Sequence, residues 1–366
     1  MTAYLLLAAL TWAVAARGGT GVRDLAVVLA LLLVAMVAGR AWPRRDVVLW
    51  AAFAALMLWL LFLGPISSGL TLESVRVPLL VVIAALTALV VSRMPAKERD
   101  ILVTGVILVG CLQSVIALVE LAASVLTEPS LAPRAAALLG SPNGLGFLLV
   151  ATLALTTREL DRHGGWLPVS ALLLQTGALV ATASRSAILA ASILAVWYLI
   201  THAGLRRAWP AAAALLLGGA VVIWRTVSGS HEDRPSLWRE AVQRIVEHPL
   251  AGEGPAPHAF SSDSPGARIT THAHNEVLQW GVEYGLVGVG LALAVIAIAF
   301  RSVRRPIGPD RWLQLAAAAL LLGGLTDFTL RITALTIAAA ALVALALTEQ
   351  RPAQRQARVP ARSAAR

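Results

Sequence analysis

Five of the seven histidines, His231, His248, His258, His272 and His274, fall in one stretch ahead of a long apolar segment. The last two lie in Thr271-His272-Ala273-His274-Asn275-Glu276-Val277-Leu278-Gln279, which runs straight into that segment. An imidazole at such a boundary titrates near neutrality and can take a proton from a hydroxyl. The rival chemistry is a metal site built from His258, His272 and His274. Zinc needs three or four ligands at recognisable spacing, and the sequence has neither a His-Glu-x-x-His pattern nor paired cysteines, so no metal is expected. Arginines form the second set. Arg76 and Arg134 flank apolar runs, Arg185 sits in Thr182-Ala183-Ser184-Arg185-Ser186, and Arg234 sits in Asp233-Arg234-Pro235-Ser236. A planar guanidinium grips phosphate oxygens in pairs, and ionisable groups at membrane depth are costly enough to mark function. Glu276, Glu283 and Asp327 are further candidate bases. Each is read first as half of a buried ion pair, Asp327 with Arg331 for instance.

The elements that must position these groups follow from composition. Of 366 residues, 58% are hydrophobic and 14% charged, and the net charge is +10. Soluble domains carry about 25% charged residues, so a soluble enzyme, a disordered chain and a nucleic-acid binder are all excluded. The basic residues cluster between apolar runs, as in an integral membrane protein. Twelve apolar runs are candidate spans, several of them short or interrupted, near 2–16, 25–39, 47–63, 77–92, 101–126, 135–157, 166–183, 187–201, 208–224, 276–300, 312–328 and 331–348. The expectation is an all-α polytopic membrane protein with about 12 transmembrane helices and a large extracytoplasmic loop, 225–275, between helices 9 and 10. The run Met1 to Ala16 lacks a positive leading region and reads as a first span rather than a cleaved signal.

Orientation follows from the cations. With the N-terminus inside, the inner connections hold Arg40, Arg44, Arg45, Arg93, Lys97, Arg99, Arg158, Arg162, Arg206, Arg207, Arg301, Arg304, Arg305 and Arg311, and the tail adds five more arginines. The short outer connections hold only Arg17, Arg23, Arg76, Arg134, Arg185 and Arg331. This bias of roughly three to one puts both termini in the cytoplasm and the histidine-rich loop outside. Residues 1–348 are then one membrane domain, and 349–366 a disordered, basic cytoplasmic tail. Nine spans before the loop and three after it count against a transporter of two equal halves. Within the loop, Trp238, Val242 and Ile245, with Ala241, form an apolar stripe at helical spacing, ended by Gly252, Gly254, Pro255 and Pro257. Cys111, the single cysteine, lies in an apolar run as a packing residue.

Four stretches, in order, carry a resemblance. They are Gly140-Ser141-Pro142-Asn143-Gly144-Leu145-Gly146, placed in the sixth helix, and Thr182-Ala183-Ser184-Arg185-Ser186. Next is Arg234-Pro235-Ser236-Leu237-Trp238, running on to His248-Pro249-Leu250-Ala251-Gly252-Glu253-Gly254-Pro255. Last is Ala273-His274-Asn275-Glu276-Val277-Leu278-Gln279 through Glu283-Tyr284-Gly285-Leu286-Val287-Gly288. Across residues 130–330 the chain resembles the O-antigen ligase and O-antigen polymerase superfamily of bacterial envelope glycosyltransferases.

The resemblance implies transfer of a glycan from a polyprenyl-diphosphate carrier to an acceptor hydroxyl at the outer face of the inner membrane. It implies no cofactor and no metal. It makes His274 the base and Arg185 and Arg234, with Arg76, the diphosphate ligands, supported by Asn275, Asn143 and His272. The partners implied are the lipid-linked donor, a glycan, glycolipid or protein acceptor, and membrane lipid, with no nucleic acid. Repeat-unit polymerases and protein O-oligosaccharyltransferases share these motifs. A lipid-glycan transporter is the alternative that is not an enzyme.

Overall fold

Apolar runs form helices here, and proline, glycine and capping side chains set their ends. The computed structural model describes residues 1–39, 47–68, 72–127, 134–202, 220, 234–256, 258–261, 270–303 and 310–348. Its bounded α-helices are α1 (Thr2–Ala15), α2 (Val22–Ala38), α3 (Val47–Ser68), α4 (Leu72–Arg93), α5 (Ala96–Thr127) and α6 (Pro142–His163). After these come α7 (Trp166–Thr182), α8 (Arg185–His202), α9 (Arg234–Glu247), α10 (Glu276–Val303), α11 (Arg311–Thr326) and α12 (Thr333–Thr348). Among the described residues the β component is a single antiparallel bridge, Phe260 to Thr270. The apolar run 208–224 and the tail 349–366 lie outside the described residues.

The molecule is an all-helical membrane protein. Ser74–Arg93, Ala96–Thr127 and Glu276–Ala299 are long and apolar enough to cross a bilayer, and further apolar helices are shorter. Large apolar side chains such as Leu58, Phe62, Leu108, Val119 and Leu173 are exposed on helix exteriors, a distribution that suits lipid rather than water.

Helix α6 is the central post. It packs on α5, α7, α8 and α11, and it is buried almost all round from Gly144 to Leu149. Its start differs from the sequence expectation of 135. Gly140 takes a left-handed φ of 67°, Ser141 caps the helix by accepting from the Gly144 N–H at 3.1 Å, and Pro142 occupies the first turn. Proline fits there because no helical donor is needed. The Ser-Pro-Asn-Gly motif therefore starts α6. Farther along, a Cβ at Gly146 would lie 2.7 Å from the Ala187 Cβ, so this glycine lets α6 and α8 meet closely.

At the opposite end of α6 the buried Arg158 donates to Asp310 Oδ2 at 2.6 Å, and Asp310 also caps α11 through the Leu313 N–H. This clamp fixes α11 against α6, so its far end arrives beside the Asn143 turn.

Candidate active site

Helices α4, α6, α8, α10 and α12 begin at one end of the bundle, and α7 and α11 end there, so most sequence-selected residues share one neighbourhood. Over this end lies α9. Its buried face is Leu237 and Ala241, with Ile245 packed beside them against Val282, Phe260 and Ala273. That corrects the expected stripe: Val242 is exposed, because the docked face follows the i, i+4, i+8 line one step away.

The turn after α9 seats on a break in α10. Gly285 has φ 66° and ψ −177° inside the helix. There the Leu286 N–H donates to Pro249 O at 2.8 Å, and the Glu253 N–H donates to Val282 O at 2.7 Å. A Cβ on Gly285 would lie 2.1 Å from Leu250 O, and one on Gly252 would lie 2.4 Å from Val282 O. The glycines in the His-Pro-Leu-Ala-Gly and Glu-Tyr-Gly motifs thus serve one backbone-to-backbone contact. Gly281 instead receives the Ile245 side chain, so the Gly281–Gly285 spacing serves packing within the chain.

His274 stands at the centre. Its φ of 50° turns the chain sharply just before Asn275. The side-chain oxygen of Asn275 accepts from the Val277 and Leu278 N–H groups, capping α10, and its amide donates to Leu325 O at 2.9 Å. His274 Nδ1 meets Asp327 Oδ1 at 2.8 Å, with the carboxylate side chain only 3% exposed. The Phe328 N–H donates to the same oxygen at 2.9 Å. Asp327 Oδ2 accepts from the Asn143 amide and lies 4.0 Å from Arg234. Behind Asn143, Arg134 donates to Asn143 Oδ1 at 2.6 Å and to Thr182 O at 3.2 Å. The guanidinium fixes which end of the amide faces Asp327 and ties the α7–α8 turn, with Arg185 at its exit, to the same network.

Burial alone would raise the Asp327 carboxyl. The hydrogen bond and charge of His274, the charge of Arg234 and the Phe328 N–H outweigh burial, so the group is held below the usual carboxylate range. When His274 is neutral, a carboxylate at Nδ1 holds the proton on that nitrogen and leaves the lone pair on Nε2, the arrangement a general base needs.

His272 differs in kind. Its ring stacks on Phe328 with centroids 4.7 Å apart, and Phe328 also lies 5.3 Å from the His274 ring. Burial, then the charges of Arg331, Arg76 and His274, push His272 down to about 3. Such an imidazole is a weak base at neutral pH, whereas His274 has a carboxylate partner. The expected Asp327–Arg331 pair is replaced: Arg331 binds Glu276 Oε2 at 3.3 Å and Glu283 Oε2 at 2.9 Å. Arg76 joins this group by donating to Arg331 O at 3.2 Å. His258 is engaged by Glu253 at 3.0 Å and by Gly254 O at 2.8 Å. Among the described residues no three His, Cys, Asp or Glu side chains gather as a metal-holding group.

Sequence reasoning gave Asp327 the wrong partner and did not place Arg134 in the site. The available signal was an isolated carboxylate at the end of the apolar run 312–328.

An all-helical membrane scaffold thus gathers a histidine–carboxylate pair and several arginines at one end. Comparisons agree with the resemblance read from the motifs. Residues 170–293 match the O-antigen ligase family. The chain is also 30% identical over 141 residues to an O-antigen ligase of Pseudomonas aeruginosa, a match covering 37% of this chain. That match spans 34% of the relative's own length. The resemblance to the O-antigen ligase superfamily therefore stands.

Proposed function

We propose that the protein transfers a glycan from a polyprenyl-diphosphate carrier to an acceptor hydroxyl at the outer face of the bacterial cytoplasmic membrane. The carrying observation is the contact of His274 Nδ1 with an ionised Asp327, itself within 4.0 Å of Arg234. In this reading His274 Nε2 removes the acceptor proton as the hydroxyl oxygen bonds to the anomeric carbon. The bond from that carbon to the diphosphate oxygen breaks, and the diphosphate leaves with the electron pair. A single displacement inverts the anomeric configuration.

Arg234, Arg185 and Arg76 oppose the charge that grows on the leaving group, the role of fixed donors in a water-poor site. Asn143 orients Asp327, Asn275 shapes the turn that carries His274, and neutral His272 lines the site beside Phe328. Guanidinium charge takes the place a divalent cation would fill, so EDTA leaves transfer unchanged. Strong inhibition reversed by a divalent ion would overturn that part.

The test is the glycolipid profile of a host deletion strain complemented with wild type or His274→Ala. Long glycan left on the carrier, with bare acceptor, supports a ligase whose base is His274. Single repeat units on the carrier would point to a polymerase. An unchanged profile, or normal transfer by a folded His274→Ala protein, would reject the reading.

A further inference from the structure

The backbone that presents His274 is held by a buried polar line on α10. Glu276, Gln279 and Glu283 lie at i, i+3 and i+7, one face of the helix, and all three are buried in a segment otherwise apolar enough to span a bilayer. Polar side chains in such a place persist where their hydrogen bonds are satisfied. Those of Gln279 are specific. Its Oε1 accepts from the Ala273 N–H at 2.7 Å, and its Nε2 donates to Glu283 Oε1 at 2.7 Å. The other oxygen of Glu283 accepts from Arg331 at 2.9 Å.

Orientation is passed along this line. Arg331 fixes which Glu283 oxygen is left over, that oxygen fixes which end of the Gln279 amide is nitrogen, and the amide oxygen is then aimed at Ala273. Ala273 is fully buried under α9, so its N–H has no solvent to fall back on. The next residue is His274, in the left-handed conformation that side chains other than glycine adopt rarely.

Both ends of this brace come from one short connection. Asp327, the partner of the His274 ring, and Arg331, the origin of the polar line, bracket the turn between α11 and α12. A His274 ring held by Asp327 alone could swing with its loop. With Ala273 tied to Arg331 through Gln279 and Glu283, backbone and ring are indexed to the same turn.

We propose that Gln279 is the positioning residue of His274, acting through the Ala273 N–H and oriented by Glu283 and Arg331. The inference rests on His274 being the proton acceptor, and it adds a requirement for an amide of one polarity at position 279.

The test uses the full chain in three forms: Gln279→Met, Gln279→Glu, and the double exchange Gln279→Glu with Glu283→Gln. Methionine keeps the volume and loses both bonds. Glutamate alone keeps the acceptor but faces a second carboxylate. The double exchange restores acceptor, donor and one negative charge in reversed order. Two readouts are taken, amide exchange of the 270–276 peptide in the purified protein and glycan transfer in the complemented strain.

Gln279→Met is expected to raise exchange at Ala273 by about ten-fold or more, as a local opening would. Transfer is expected to fall about 10–100-fold, the scale of a small misplacement of a catalytic group. The double exchange recovers both readouts and Gln279→Glu recovers neither. Unchanged exchange in Gln279→Met, or a double exchange no better than Gln279→Glu, overturns the brace. Faster exchange together with full transfer overturns its positioning role. If His274→Ala retains transfer, the catalytic reading fails by itself, and the exchange data still decide whether Gln279 holds the turn.

Discussion

Replacing Asp327 with asparagine isolates the contribution of the carboxylate to His274. The two oxygens of Asp327 serve two sides: Oδ1 accepts from His274 Nδ1 and the Phe328 N–H, and Oδ2 accepts from the Asn143 amide. Arg134 holds Asn143 Oδ1, so the Asn143 amide cannot turn over to offer an acceptor instead. An asparagine at 327 that keeps its oxygen toward His274 sets two NH2 groups face to face. One that turns the other way loses the histidine. The unsatisfied group costs about 1–3 kcal/mol of stability.

The catalytic cost is larger. When His274 takes the proton it becomes a cation, 2.8 Å from a carboxylate in the wild type and beside a neutral amide in the variant. Breaking a buried, hydrogen-bonded charge pair costs about 3–5 kcal/mol. At about 1.4 kcal/mol per ten-fold, this lowers kcat about 10²–10⁴-fold. Donor KM should not rise, because Arg234 loses only a neighbouring negative charge at 4.0 Å. The assay is transfer kinetics of wild type, Asp327→Asn and His274→Ala in the same membranes, with thermal unfolding as the check on folding. Activity of Asp327→Asn within about five-fold of wild type, far short of what a general base supplies, would refute the dyad.

The same carboxylate predicts an acid limit, since its folded pKa is depressed: its stabilisation is present above the unfolded value near about 4 and lost as pH falls through the folded one. Wild type should therefore lose stability below that window, and Asp327→Asn should lose less of it, read by thermal unfolding from neutral to acid pH. His272→Gln should leave the shape of the activity profile unchanged between pH 6 and 8, because a group pushed down to about 3 carries no proton there; a moved limb in the rate–pH curve would reassign the base. Gly285→Ala should lower the unfolding temperature, since φ 66° and a 2.1 Å approach to Leu250 O leave no room for a methyl group. The backbone strain by itself costs about 1–3 kcal/mol, and wild-type stability would show that the α9 turn does not seat there.

The motifs acquire distinct roles once folded. Ser141 to Gly146 starts α6 and lets α8 approach. His248 to Gly254 and Glu283 to Gly285 are two halves of one docking contact that keeps α9 over the site. In the proposed reading the stretch from Ala273 to Gln279 carries the base, and Arg185 and Arg234, from two other motifs, face the diphosphate. Spacing along the chain would not have separated the docking glycines from the candidate base His274. The separation comes from seeing which atoms they touch.

What the sequence determined by itself was whatever depends on near neighbours along the chain. Hydropathy marked most helices, because burying or lipid-facing apolar runs of that length leaves few other folds. The cluster of histidines before α10 was equally legible, whereas the cap at Ser141 was missed because the apolar run begins earlier, at 135. Tertiary structure alone decided the pairings. His274 is 53 positions from Asp327 and Asn143 is 184 from it, and nothing in local spacing states that these three meet. Arg331, only four residues past Asp327, was the nearer candidate partner in sequence. It turns instead toward Glu276 and Glu283 on α10, because the short helical turn Thr329–Arg331 aims it there. Likewise Val242 and Ile245 share an apolar character, yet only Ile245 meets Gly281, since the axis of α9 relative to α10 fixes which of them is buried. Ion-pair choice and helix phase are set by the relative placement of whole elements, and that placement exists only in the folded chain.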